Sequence, residues 1–245
     1  MLEMPLSGNA VSDPTYTASV EDYLKAIYEL SRGRGHATTS DVATRLGVAR
    51  PSVSGMAARL AVQRLVTHER YRGLKLTQAG RGVALQLIRR HRVIEAYLVT
   101  ALGYTWDQVD GEAERLEHAA SDDLVDRMAR AIGEPEADPH GAPIPSRRGT
   151  VVEQPRRSLD QLAPGDRARV VRVEDDDPHF LRHLASLGLV PGATVRLLTQ
   201  APFEGPLAVR VGSKTRQVGP SLAARVFVAS PHRTPRPSTA PPKPR

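Results

Sequence analysis

The stretch Thr39-Ser40-Asp41-Val42-Ala43-Thr44-Arg45-Leu46-Gly47-Val48-Ala49-Arg50-Pro51-Ser52-Val53-Ser54-Gly55-Met56-Ala57-Ala58-Arg59-Leu60 decides the fold of the first third of this chain. Thr39 or Ser40 can cap a short helix that runs through Leu46, and Gly47 can close it in the left-handed conformation. Arg50-Pro51-Ser52 opens a second helix, because proline fits the first turn. On that helix Val53, Met56, Ala57 and Leu60 share the inner face. Upstream, Val20, Leu24, Ile27 and Tyr28 form one apolar stripe, which predicts a helix over residues 18–32 that ends near Gly33 and Gly35. Downstream, residues 66–76 read as a hairpin with its turn near Arg72-Gly73. Helix, tight turn, helix and basic hairpin is the pattern of a winged helix-turn-helix. Its second helix would enter a DNA major groove and its hairpin would lie on the backbone or minor groove. The candidate DNA contacts are Thr39, Arg50, Pro51, Ser52, Ser54 and Arg59, with Arg70 and Arg72 from the hairpin. Ser52 and Ser54 can reach base edges or phosphates, and Arg50 and Arg59 suit phosphate or guanine.

The charge distribution agrees with that reading. The formal net charge is +7 and the pI is near 10.1. Residues 45–75 carry Arg45, Arg50, Arg59, Arg64, Arg70, Arg72 and Lys75 against only Glu69, whereas residues 107–138 carry eleven Asp or Glu against three Arg. The first block is built for phosphate and the second for cations.

The rest of the chain supplies chemistry for the acidic block. Helical regions are predicted from about Gln78 to Leu102 and from about Trp106 to Ile132. On the second, Glu114, Glu117 and His118 share one helical face; on the first, His91 and Glu95 stand at i and i+4. Five oxygen and nitrogen donors can therefore converge when these helices pack side by side. Carboxylates plus imidazole, in a chain without cysteine, suit Mn²⁺, Fe²⁺ or Zn²⁺ better than Cu⁺. Residues 133–158 are rich in proline and glycine. Beyond them short β-branched runs (168–173, 194–198, 207–211, 215–218) alternate with turns, and one helix, His179 to Leu187, interrupts them. That pattern predicts a small SH3-like β-barrel. Residues 230–245 are basic and proline-rich with nothing apolar to bury, so disorder is expected there.

The fold class is therefore multidomain: a mainly α N-terminal part with a winged helix-turn-helix and a helical dimerisation domain, then the SH3-like domain. The expected boundaries are 15–78 for DNA binding, 79–145 for metal binding and dimerisation, and 146–158 for a linker. The SH3-like domain would occupy 159–229 and the tail 230–245. No apolar run approaches the roughly 18 residues that span a bilayer. The N-terminal residues carry no secretory signature, so a cytoplasmic protein without membrane partner is expected.

These pieces in this order resemble the diphtheria toxin repressor family of metal-activated regulators. The carrying residues are Val20-Glu21-Asp22-Tyr23-Leu24-Lys25-Ala26-Ile27-Tyr28, Arg90-His91-Arg92-Val93-Ile94-Glu95 and Glu112-Ala113-Glu114-Arg115-Leu116-Glu117-His118. The link Asp138-Pro139-His140-Gly141-Ala142-Pro143-Ile144-Pro145 also matches. Leu184-Ala185-Ser186-Leu187-Gly188-Leu189-Val190-Pro191-Gly192 resembles the family's C-terminal SH3-like domain, which ferrous-iron transport proteins share.

The resemblance implies a main metal site of Asp22, Glu114, Glu117 and His118, with His91 nearby or shared. It also implies an ancillary site of His91, Glu95 and Asp110, completed from the SH3-like domain by Asp176 or His179. In the iron-sensing branch the positions of Asp22 and Glu114 hold Met and Cys; carboxylates there match the manganese-sensing branch. Lys25 and Asp110 depart from the second-site residues of the manganese and iron branches respectively. The resemblance thus implies a homodimer that binds palindromic operator DNA and represses metal-uptake genes when Mn²⁺ is bound, Fe²⁺ being the alternative. A metalloenzyme could use a similar ligand set, but no separate nucleophile or general base accompanies it. A sensor of a small organic ligand would need an apolar pocket, and only 4% of residues are aromatic.

Overall fold

The computed structural model describes residues 16–69, 72–152, 157–174 and 177–229. The expectations placed on Arg70, Asp176 and the tail 230–245 lie outside the described residues. The chain divides into two compact units. One runs to Arg89 and adds Pro145–Thr150; the other holds Arg90–Ile144 and the chain from Val151 onward.

In the first unit, α1 (Ala18–Ser31) starts where the Thr17 hydroxyl accepts from the Val20 N–H, and it buries Tyr23, Leu24, Ile27 and Tyr28. Next, α2 (Thr39–Leu46) is capped by Thr38, one residue before the expected cap, and closed by Gly47 at φ 64°. Pro51 then sits in the first turn of α3 (Arg50–Val62), which buries Val53, Met56, Ala57 and Leu60. The hairpin pairs β1 (Val66–Glu69) with β2 (Gly73–Leu76), Glu69 opposite Gly73. Helix α4 (Gln78–Leu102) begins in this unit and continues into the second.

In the second unit the single helix expected over 106–132 is two, α5 (Val109–Leu116) and α6 (Asp122–Ala131). The break has a local cause. Ser121 adopts extended backbone and its hydroxyl accepts from the Leu124 N–H, so Ser121-Asp122-Asp123 starts a new helix within a periodic stretch. Val125 and Ala129 of α6 pack on Val93 of α4, and Ile144 of the following link covers them.

The C-terminal part holds β3 (Arg157–Ser158), β4 (Arg167–Val173), α7 (Pro178–Leu187), β5 (Thr194–Gln200), β6 (Leu207–Val211), β7 (Lys214–Val218), the short α8 (Pro220–Ala223) and β8 (Val226–Ala229). These strands form one antiparallel sheet in the order β3-β8-β4-β5-β6-β7. Its topology is that of the expected SH3-like domain, but the sheet is open: β3 and β7 end it without pairing to each other. Alternation places Ala168, Val170, Val195, Leu197 and Val209 on the inner face, where α7 covers them with Leu181 and Leu184. Trp106, from the loop before α5, also packs against this core.

Candidate metal centre

The second half of α4 carries the hub of the site. His91 is buried, and its ring meets four carboxylates. Nδ1 lies 2.6 Å from Glu117 and 3.7 Å from Glu114; Nε2 lies 3.4 Å from Asp110 and 3.6 Å from Glu95. Helical spacing explains the convergence. Glu95 follows His91 by one turn, while Asp110, Glu114 and Glu117 descend one face of α5 and its continuation. Glu117 has no exposed surface at all, and its second oxygen faces His118 Nε2 at 3.6 Å. An imidazole brings at most one positive charge, so this cluster gathers more negative charge than its own residues can neutralise. A divalent cation offsets that repulsion, and its donors are oxygen and nitrogen alone.

A second buried cluster shares Glu95. His140 Nδ1 lies 3.5 Å from Glu95, and His140 Nε2 lies 2.8 Å from the Trp106 carbonyl oxygen. A carbonyl only accepts, so Nε2 carries the proton and donates to it. Nδ1 is thereby aimed, in the neutral ring, as a lone pair towards Glu95, the arrangement by which a carbonyl orients a ligating histidine. Asp138 completes the group. One oxygen accepts from the His140 and Ala142 backbone N–H groups at 2.9 Å each, and the other faces Arg92 Nε at 3.4 Å. Burial pushes the Asp138 carboxyl above its ordinary range, and the Glu95 charge adds to this against the opposing pull of Arg92 and His140.

The loop carrying His140 is held by the SH3-like part. The His140 carbonyl accepts from Val173 N–H of β4 at 2.9 Å. Gly141, at φ 84°, lies so close that a Cβ would come within 1.9 Å of the Val171 oxygen. Arg182 of α7 pairs with Asp107 at 2.9 Å.

Donor triplets thus form around His91, Glu114 and Glu117, around His91, Glu95 and Asp110, and around Glu95, Asp138 and His140. Sequence reasoning singled out every member but Asp138 and His140. Both stood in the quoted link motif, and the signal was there: an Asp and a His two residues apart, fixed by Pro139 and Gly141. His179 is exposed in the first turn of α7, where its N–H donates to Asp177, and it joins none of these triplets. Asp22 is half-buried on α1 of the first unit. Of the residues expected to contact DNA, Arg50, Pro51, Ser52, Ser54, Arg59 and Arg72 are exposed and Thr39 is half-buried.

Three family descriptions match successive parts of the chain. Residues 15–74 match the iron-dependent repressor N-terminal DNA-binding domain, residues 77–146 the iron-dependent repressor metal-binding and dimerisation domain, and residues 157–230 the FeoA domain. The diphtheria toxin repressor of Corynebacterium jeikeium is 35% identical over 203 residues, which cover 74% of this chain and 85% of that protein. This chain belongs to the diphtheria toxin repressor family of metal-dependent transcriptional repressors. The repressor is also 36% identical over 116 residues to the HTH-type transcriptional regulator MntR of Geobacillus kaustophilus, 47% of this chain and 82% of that one. Among solved structures it resembles a manganese-dependent transcriptional repressor in complex with manganese. The TM-score is 0.78 and the identity 39%, covering 86% of this chain and 99% of that one. The family is one of DNA-binding regulators, not enzymes, and its domains are those of DNA binding, metal binding and dimerisation. No helix among the described residues is long and apolar enough to cross a membrane.

Proposed function

We propose that this repressor is activated by Mn²⁺ and binds palindromic operator DNA as a cytoplasmic homodimer to silence metal-uptake genes, without a small organic ligand. The observation that carries the metal assignment is the ring of carboxylates around His91, which offers hard oxygen and borderline nitrogen and no sulfur. The resemblance to manganese-dependent and MntR regulators points the same way. Asp22, Glu114, Glu117 and His118 would hold the activating ion. His91, Glu95 and Asp110 would form an ancillary site, to which the buried Asp138 and His140 would add two donors. The domain boundaries proposed above assign Asp22 to the DNA-binding domain and its co-ligands to the next. An ion held by all of them fixes one domain against the other, so an ion that binds the DNA-competent arrangement better shifts the population towards it. Thr39, Arg50, Pro51, Ser52, Ser54, Arg59, Arg70 and Arg72 would face the operator.

The test is a titration of operator binding against Mn²⁺, Fe²⁺ and Zn²⁺ after chelation. Activation by Mn²⁺ at the lowest free concentration that sustains repression in cells supports the reading. Preference for Fe²⁺ makes the protein an iron-activated repressor, and full-strength binding in chelator removes the metal mechanism.

A further inference from the structure

The open sheet of the SH3-like part has an outer face that the metal-sensing role does not use. Register sets Arg167 of β4 opposite Arg196 of β5, and Arg196 opposite Arg210 of β6. Paired residues of an antiparallel sheet point to the same side, so three guanidinium groups stand abreast. All three are exposed, while their neighbours Ala168, Val195, Leu197 and Val209 are buried on the other face. Arg169, two residues along β4, extends the patch and donates to the Gly192 carbonyl at 3.2 Å.

Like charges directly opposite one another destabilise a sheet, and this sheet holds two such pairings side by side. Among the described residues nothing local relieves them. Strands β4, β5, β6 and β7 contain seven Arg or Lys and not one Asp or Glu. Asp166, just before β4, is engaged by Arg157 at 3.1 Å. Among the described residues no acid pairs with Arg167, Arg196 or Arg210. Strands lie about 4.8 Å apart, so the row spans roughly 10 Å, a reach that takes in consecutive phosphates of one nucleic-acid strand.

We propose that this face of the SH3-like sheet binds the phosphate backbone of duplex DNA, independently of base sequence and of metal. The occupant follows from charge complementarity. The choice of DNA rests on the regulator reading, since DNA is the polyanion that such a protein works on. The arginines would add a sequence-blind grip beside the operator-reading helix, and none of them stands in the donor clusters.

The experiment uses the full chain and a random-sequence duplex, with affinity read across a salt series in Mn²⁺ and in chelator. Each phosphate that a side chain no longer neutralises lowers the slope of log affinity against log salt by about 0.9. The triple variant Arg167→Gln, Arg196→Gln, Arg210→Gln should lower it by about 2.7 in both conditions. The triple Arg→Lys variant, which keeps the charges, should retain the parent slope. An unchanged slope in the Gln variant overturns the inference. So does an equal loss in the Lys variant, which means that shape rather than charge was removed. An unchanged slope with altered self-association in sedimentation assigns the face to an acidic surface of a second copy and likewise overturns it. Parent protein whose operator affinity ignores Mn²⁺ sinks the regulator reading instead, a result that the slope comparison in chelator does not depend on.

Discussion

His91 and His140 both face Glu95 Oε1, at 3.6 and 3.5 Å, and their surroundings differ in one respect that governs everything else. His140 and its carboxylates have a built-in cation, Arg92, whose guanidinium faces Asp138 and also donates to the Pro143 carbonyl. His91 faces four carboxylates instead. Around His140 every donor is buried, whereas around His91 the Asp110 and Glu114 side chains are 42% and 53% exposed. The first cluster is enclosed and close to balanced. The second is partly open to solvent and holds more carboxylates than its own imidazoles can neutralise, so it is where an ion arriving from solution gains most. The lesson is that two donor clusters sharing one carboxylate can differ in charge balance through a single arginine.

The largest effect comes from breaking the open cluster. Glu117→Ala and His118→Ala should each abolish the metal response of operator binding while circular dichroism and dimer mass stay those of the parent. In chelator the parent should lose a coupling of roughly 1–3 kcal/mol or more in operator affinity, and each variant should bind at that chelated level whatever the metal concentration. A variant that still responds to Mn²⁺ would move the activating ion away from Glu117.

Next in size is the brace of the enclosed cluster. Gly141→Ala places a methyl in a left-handed backbone position where the Val171 oxygen stands 1.9 Å from the new Cβ. Backbone cannot yield as a flexible side chain does, so the cost should be about 2–4 kcal/mol in denaturant unfolding. Loss of ancillary metal binding should accompany it, because the same loop aims His140. An unfolding midpoint equal to the parent's would show that the loop stands free of β4.

How much of this was legible in the sequence follows from the range of the interactions involved. The helix-turn-helix was readable because Gly47 and Pro51 act within one turn of where they stand. The His91 hub was readable because i, i+4 spacing is local geometry. The break between α5 and α6 was missed because apolar periodicity continues through Ser121, and the cap there depends on one hydroxyl. His140 was missed because a proline- and glycine-rich link reads as a connection; its role depends on a carbonyl, that of Trp106, 34 residues away. The open sheet and the abreast arginines depend on strand order and register, which no single strand's pattern encodes.

Metal choice sharpens the comparison further. Asp22→Met with Glu114→Cys should shift activation from Mn²⁺ towards Fe²⁺, because sulfur would replace hard oxygen at two of the proposed ligands of the activating ion. Operator binding at matched free concentrations of the two ions measures it. A double variant that keeps its Mn²⁺ preference would transfer specificity to Glu95, Asp110, Asp138 and His140.

A smaller effect is expected at the DNA-reading helix. Arg59→Ala should weaken binding to all sequences alike and flatten the salt dependence by about one unit of slope. A changed sequence preference at constant slope would make Arg59 a base reader.

The smallest effect concerns acid, where Asp107 and Asp138 move in opposite directions. Asp138 is pushed up, chiefly by burial, so its ionised form costs the folded state something that protonation relieves as pH falls. For Asp107 partial burial works upwards, but hydrogen bonds from Thr105 and Arg182 outweigh it and hold the carboxyl below its ordinary range. A lowered folded value stabilises above the unfolded carboxylate value of about 3.9, and that contribution disappears as pH falls through the folded value. The Asp107–Arg182 pair joins the loop before α5 to α7 with Arg182 half in solvent, so its worth is about 1 kcal/mol or less. Asp107→Asn should therefore destabilise the metal-free protein by a small constant amount from pH 7 down to about 4, and by nothing once acid has protonated the carboxyl in both states. A difference that instead grew as pH fell would mean that Asp107 is not the carboxylate holding α7 to the metal-binding helices.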